Sequence, residues 1–518
     1  MDNPTGDRLQ DFTLRALEYV VLSFLALLVV GVLFIAYLYI VDVRQAQHAV
    51  RRNYPVIGRF RYIFEHIGEF LRQYFFAMDR EELPFNRAQR SWVYRAAKNI
   101  DTTVAFGSTH PLNQANDVIF LNSAFPTLKE DFVPASALTI GEGYCENPYT
   151  TDKVFHVSGM SFGAISAPAV KALSAGAAQA GIWLNTGEGG LSPHHLSGGC
   201  DIVFQIGTAK YGVRDDISIL SDDKLRQIAA KNTVRMFEIK LSQGAKPGKG
   251  GILPGTKVTA EIAAIRGIPL GADSISPNGH IEARNADQLL DLICRVRRVT
   301  GKPTGFKAVM ASLDWLDDLF SRIHERGLDC APDFITIDSA DGGTGAAPQS
   351  LMDYVGLPIK RSLPLVVDKL SEWQLRPRIR IIASGKLISP ADVAWALCIG
   401  ADFVVSARGF MFALGCIQAL QCNKNNCPTG VTTHDPELQR GLVPADKALR
   451  VANYATNIMQ EVGVLAHSCG VREARELQRC HAQLINERGI PEPLKILYPE
   501  PKPRSDLLAK RNSQNGSK

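Results

Sequence analysis

Three cysteines, Cys416, Cys422 and Cys427, fall within twelve residues in GCIQALQCNKNNCPTGVTTHD (415–435), and a proline follows the last of them. Thiolates this close on a Pro/Gly-bounded loop suit a soft metal centre, iron–sulfur or zinc. The polar stretch Asn423, Lys424, Asn425, Asn426 between them argues against thiols that merely pack as small hydrophobes. A structural zinc ion would need a fourth ligand, which His434 could supply, but the loop has no Cys-x2-Cys knuckle.

A second group of chemically able residues closes a series of short apolar runs. The runs are VFHVSGMS (154–161), IWLNTGEGG (182–190), RMFEIKLSQG (235–244), DSISPNGH (273–280), TGFKAVM (304–310), FITIDSADGGTG (334–345), IRIIASGK (379–386) and DFVVSARG (402–409). Helical stretches separate them, which is the pattern of βα units around a parallel sheet. Eight units predict an α/β fold, a closed (β/α)8 TIM barrel with its site at the C-terminal strand ends. The last two strand ends carry Ser384-Gly385-Lys386 and Ala407-Arg408-Gly409. Glycines that let backbone amides approach, beside a Lys and an Arg, suit a phosphate-bearing cofactor. The other ends offer Glu188, Lys240 with Gln243, Asn278 with His280, and Asp341.

SGMSFGAIS, NTGEGG, QGAKPGKGGILPGTKV, DGGTGAAP and the three-cysteine loop together resemble the FMN-binding glutamate synthase family, over about residues 150–480. The resemblance implies FMN near Ser158, Gly159, Met160, Ser161, Glu188, Lys240, Gly342, Gly343, Gly385, Lys386, Arg408 and Gly409, and a 3Fe-4S cluster on Cys416, Cys422 and Cys427. Lys240, Glu188 and Gln243 would be catalytic, with Lys240 the cation beside the flavin N1/C2 carbonyl. Gln243, Lys246 and Lys257 would bind the carboxylates of 2-oxoglutarate. The implied reaction is reductive amination of 2-oxoglutarate by ammonia to L-glutamate, with electrons entering through the cluster. The alternatives are the same cofactors acting on another amine or keto acid, or an electron-transfer subunit without catalysis. The resemblance does not include the glutamine amidotransferase domain of full-length members, and Leu191 stands where those enzymes carry a second acid. With no dinucleotide-binding G-x-G-x-x-G unit, electrons are expected from a partner protein, a ferredoxin or flavoprotein subunit.

The remaining chain must position this body. Tyr19–Val41 is 23 residues without a charge, enough to cross a bilayer core of ~30 Å as a helix. Before it, residues 1–18 hold four acids and two bases; after it, residues 42–61 hold Asp42 against Arg44, Arg51, Arg52, Arg59 and Arg61. The basic side is predicted cytoplasmic, giving an extracytoplasmic segment 1–18, a transmembrane helix 19–41 in the cytoplasmic membrane, and a catalytic body in the cytoplasm. Residues 42–135 are predicted as a membrane-proximal helical segment. Its apolar residues from Ile57 to Phe75 recur every three or four positions, which suggests a face packed on the barrel or, alternatively, lying in the membrane plane. The barrel is expected over 150–450, C-terminal helices over 451–490, with helical spacing read in Ala445–Gly463 and Arg472–Glu487, and a disordered tail over 491–518. A net charge of +5 on 518 residues gives no argument for nucleic acid, and the seven cysteines scattered outside the loop predict reduced thiols rather than disulfides.

Overall fold

Runs of Val, Ile and Phe buried on both faces form the strands of a parallel barrel in the computed structural model, which describes residues 4–505. The barrel strands are β1 (Phe155–Val157), β2 (Leu184–Asn185), β3 (Ile202–Ile206), β4 (Val234–Lys240), β5 (Thr304–Val309), β6 (Phe334–Asp338), β7 (Arg380–Ser384) and β8 (Phe403–Ser406). Each pairs with the next, and β8 closes on β1 through Val404 and Phe155. A hairpin of Leu138–Ile140 and Tyr149–Thr151 plugs the N-terminal end, where Ile140 and Tyr149 pack with Trp183, Met236, Phe334 and Phe403. Each fully buried side chain of that size stabilises by roughly 1.5–3 kcal/mol.

Seven of the eight predicted strands are in the barrel. The exception is 273–280: Ser274–Ile275 instead pairs antiparallel with Ile252–Leu253 in a small hairpin on the long excursion after β4. The third barrel strand is the unpredicted run IVFQI (202–206), every residue of which is buried. Excursion and barrel meet tightly at Gly244, where an added Cβ would lie 2.1 Å from the carbonyl oxygen of Ser339. Gly244→Ala is therefore expected to destabilise the fold by about 1–3 kcal/mol, read as a lower denaturation midpoint.

Helix α4 (Ala167–Ala180) starts at Ser166, whose hydroxyl accepts from Ala169 N. Helix α8 (Pro444–Ser468) packs on it, as predicted for the first C-terminal helix. Between them in sequence come α5 (Ala260–Arg266), α6 (Ala286–Thr300) and α7 (Arg408–Leu414). The second predicted C-terminal helix does not form. Residues 474–481 make two short turns and Ala482–Ile485 is a strand between Val118–Phe120 and Pro491–Pro493. The partner strand 118–120 is the reason: pairing across the chain overrides the local helical periodicity. Hence the stretch up to 135 is not wholly helical, and the predicted tail begins with a strand and the short helix Leu494–Leu497. Residues 506–518 of that tail lie outside the described residues. A disulfide joins Cys294 on α6 to Cys330, against the expectation of reduced thiols; the turn 328–330 brings the two Cα atoms to 5.1 Å.

The chain divides into two units, residues 1–87 and 88–518. In the first, α1 (Pro4–Arg44) contains the stretch Phe12–Arg44, whose apolar 18-residue window has a mean hydropathy of 2.8 and no buried side chain, and is long and apolar enough to cross a membrane. Helices α2 (Ala49–Asn53) and α3 (Gly58–Leu71) follow. The wholly buried carboxylate of Asp42 ties the three together, accepting from Arg51, Arg59 and the backbone N–H of Val56. Two of the five arginines counted for orientation thus share one carboxylate, which offsets a single positive charge. Within this unit the apolar stripe of α3 is left exposed.

Candidate active site

The C-terminal strand ends open into a cleft with a free volume of about 170 Å³. Six cationic side chains line it, Lys240, Lys246, Arg266, Lys307, Lys386 and Arg408, against the carboxylates Glu188 and Asp338. Such a cleft favours anions, and at this excess more than one anionic group can be held.

Of the predicted residues, Ser158, Gly159, Met160, Ser161, Glu188, Lys240, Gln243, Lys246, Gly343, Gly385, Lys386 and Arg408 all line it. Lys240 Nζ is 3.0 Å from Glu188 Oε1 and also donates to Gln243 Oε1, while Gln243 Nε2 donates to Thr344 Oγ1 at 3.1 Å. Burial works to raise the Glu188 carboxyl, but Lys240 outweighs it and holds the group below its ordinary value. Among the described residues no carboxylate pairs with Lys246, and burial, helped by Lys240, takes its ammonium down to about 8. Lys386 reaches Asp341 at 2.8 Å.

Three predicted residues stand elsewhere. Gly342 and Gly409 lie behind the wall; a Cβ on Gly409 would meet the Tyr454 hydroxyl at 2.1 Å, so its role is packing against α8. Lys257 does not line the cleft. Its ammonium donates to the carbonyls of Ala164 (2.8 Å) and Cys422 (3.2 Å), which ties the excursion to the cysteine loop instead. His280 is also turned aside, its Nε2 3.0 Å from the Lys240 carbonyl.

The floor of the cleft was not foreseen. Lys307 on β5 pairs with Asp338 at 3.2 Å, and below it Glu238 accepts from Asn185, Gln205 and Thr336 at 2.6–2.9 Å. Burial opposes the charge on Lys307, yet Asp338 and Glu238 raise it above its ordinary value, so it remains cationic. Its signal was a lysine inside the apolar strand TGFKAV; that of Arg266 was an arginine on a short apolar helix, α5.

Beside the cleft, Cys416, Cys422 and Cys427 line one small cavity. The two spaces share Met411, Cys422 and Thr432 as walls. Arg408 spans them, with Nη1 4.0 Å from Cys422 Sγ and Nη2 on the Thr344 carbonyl. Burial pushes the Cys416 thiol up to about 11; for Cys427 burial acts in the same direction, but the neighbouring Thr429 and Thr432 take it below its ordinary value. His434 is not a fourth ligand: its ring sits on the Gly163 carbonyl at 2.9 Å. Among the described residues no three His, Cys, Asp or Glu side chains converge closely enough for one metal ion.

The family model for the conserved region in glutamate synthase matches residues 100–472. The glutamate synthase large subunit-like protein YerD of Bacillus subtilis (strain 168) is 38% identical over 515 residues, covering 91% of this chain and 97% of that protein. A glutamate synthase large subunit-like protein of Rhizobium meliloti (strain 1021) is 28% identical over 404 residues, 74% of this chain and 87% of that one. The archaeal glutamate synthase (NADPH) of Methanocaldococcus jannaschii is 34% identical over 345 residues, 65% of this chain and 64% of that protein, so the chain spans just under two thirds of that longer relative. The chain belongs to the glutamate synthase family.

Proposed function

We propose that this chain is a membrane-tethered oxidoreductase that uses FMN and a 3Fe-4S cluster to aminate 2-oxoglutarate reductively to L-glutamate. The observation that carries the reading is the shared wall: three thiols line a space that touches an anion-binding barrel cleft through Cys422, Met411 and Thr432.

The residues fit both groups. The glycine-lined ends of β7 and β8, with Lys386 and Arg408, suit a flavin phosphate, and the walls carrying Ser158–Ser161 and Lys240 suit the ring. Three thiols lining one space, with no carboxylate or imidazole among its described lining residues, suit a polynuclear iron–sulfur centre. When bound, FMN supplies the hydride and the cluster supplies single electrons. The chain's own residues do the rest. Lys246 and Arg266 hold the two carboxylates of the keto acid, and Gln243 orients it. Lys240 faces the negative charge that develops during reduction. Glu188, kept ionised by Lys240, takes a proton from the incoming ammonium and returns one as water leaves.

Because the Lys246 ammonium titrates at about 8, it is charged below that pH and neutral above it. KM for 2-oxoglutarate is therefore expected to rise as pH passes through about 8, and Lys246→Arg should remove that rise.

Electrons come from a partner protein, a ferredoxin or flavoprotein, docking where Leu420 and Lys424 of the thiol loop are exposed. The basic flank of α1 supports a body on the cytoplasmic side. A second reading, another amine in place of ammonia, draws on Leu191, an apolar residue beside the Glu188 loop. Product analysis with chemically reduced enzyme decides: glutamate from 2-oxoglutarate and ammonium supports the first reading. An N-substituted amino acid from methylamine, without glutamate, replaces it by the second.

A further inference from the structure

We propose that α3 lies along the surface of the bilayer that α1 crosses, with its apolar face sunk into the headgroup layer, so that the chain grips the membrane at two places. The inference rests on reading α1 as a spanning helix. Ile57, Phe60, Ile63, Phe64, Ile67 and Leu71 recur at three- and four-residue spacing and share one side of the helix, and the stripe continues through Tyr74 and Phe75. All are exposed, Phe64 by 67% and Phe75 by 74%. A contiguous exposed stripe of this kind marks an interaction surface rather than ordinary solvent-facing chain.

Three observations select lipid as the occupant. Only residues 45–48 separate α1 from α2, a link that reaches at most about 14 Å when extended, so α2 and α3 start where α1 leaves the bilayer. The Asp42 clamp fixes that junction: its buried carboxylate binds Arg51 and Arg59, the second of which is in the first turn of α3, and holds Val56 N at 3.0 Å. Finally, exposed Arg61 and Arg72 border the stripe along one edge, and exposed Arg52 stands on the neighbouring α2. An apolar, aromatic-rich face bordered by arginines complements an anionic membrane surface, each base near it contributing about 1 kcal/mol.

The test uses the full chain reconstituted into phosphatidylcholine/phosphatidylglycerol vesicles whose acyl chains are brominated near the headgroup. Flotation after an alkaline carbonate wash reads the span of α1, and tryptophan quenching reads α3 separately. In floated protein, Phe64→Trp is expected to add a blue-shifted emission component that brominated lipid quenches. Glu65→Trp, on the opposite side of α3, should add one that it does not quench. Unquenched Phe64→Trp emission in protein that floats overturns the proposal while leaving the span intact. Protein that does not float overturns the span and the proposal with it.

Discussion

Lys240→Met is expected to lower kcat/KM for 2-oxoglutarate by about 10²–10³, the usual effect of removing one group aimed at developing charge. Lys240 is buried at the end of β4, 3.0 Å from Glu188 and donating to Gln243, so its loss has two consequences. It takes away the cation facing the reacting atoms, and it strands a carboxylate in a buried site, a cost of about 3–5 kcal/mol. The double variant Lys240→Met, Glu188→Gln separates them. Thermal stability should return toward that of the parent while activity stays low. Recovery of activity in the double variant would show that Lys240 serves only to neutralise Glu188.

Cys422→Ser is expected to abolish turnover driven by the partner donor, because Cys422 is the one thiol that borders both the cleft and the loop cavity. Iron content should fall with it. Turnover with chemically reduced flavin bypasses the loop and should persist within a few fold. Steady-state rates with each reductant, beside iron analysis, check this. Equal loss by both routes would mean that the loop holds the cleft together and carries no electrons.

How far the sequence led depends on how local each signal was. The thiol loop was legible because three cysteines in twelve residues have few uses, and the strand-end lysine and glutamate because NTGEGG and EIKLSQG close apolar runs. β3 was missed because IVFQI is short and its glutamine points at Glu238 inside the barrel, a partner 33 residues away. DSISPNGH imitates a strand end but belongs to the excursion. Lys257 was assigned to substrate because it follows Lys240 in the chain, yet nothing local says which way that excursion folds back; it folds onto Cys422. Lys307 was passed over because a lysine in an apolar strand gains its meaning only from Asp338 on the neighbouring strand. The misread helix at 472–487 has the same origin, since the strand it forms depends on residues 118–120.

The central claim is that the three thiols carry iron beside a flavin. Anaerobically purified full-length protein should contain one FMN and about three irons with four acid-labile sulfides per chain, and show the low-temperature spin-resonance signal of an oxidised three-iron cluster. Protein that holds flavin but no iron or sulfide, with Cys416, Cys422 and Cys427 all open to alkylation, would contradict it.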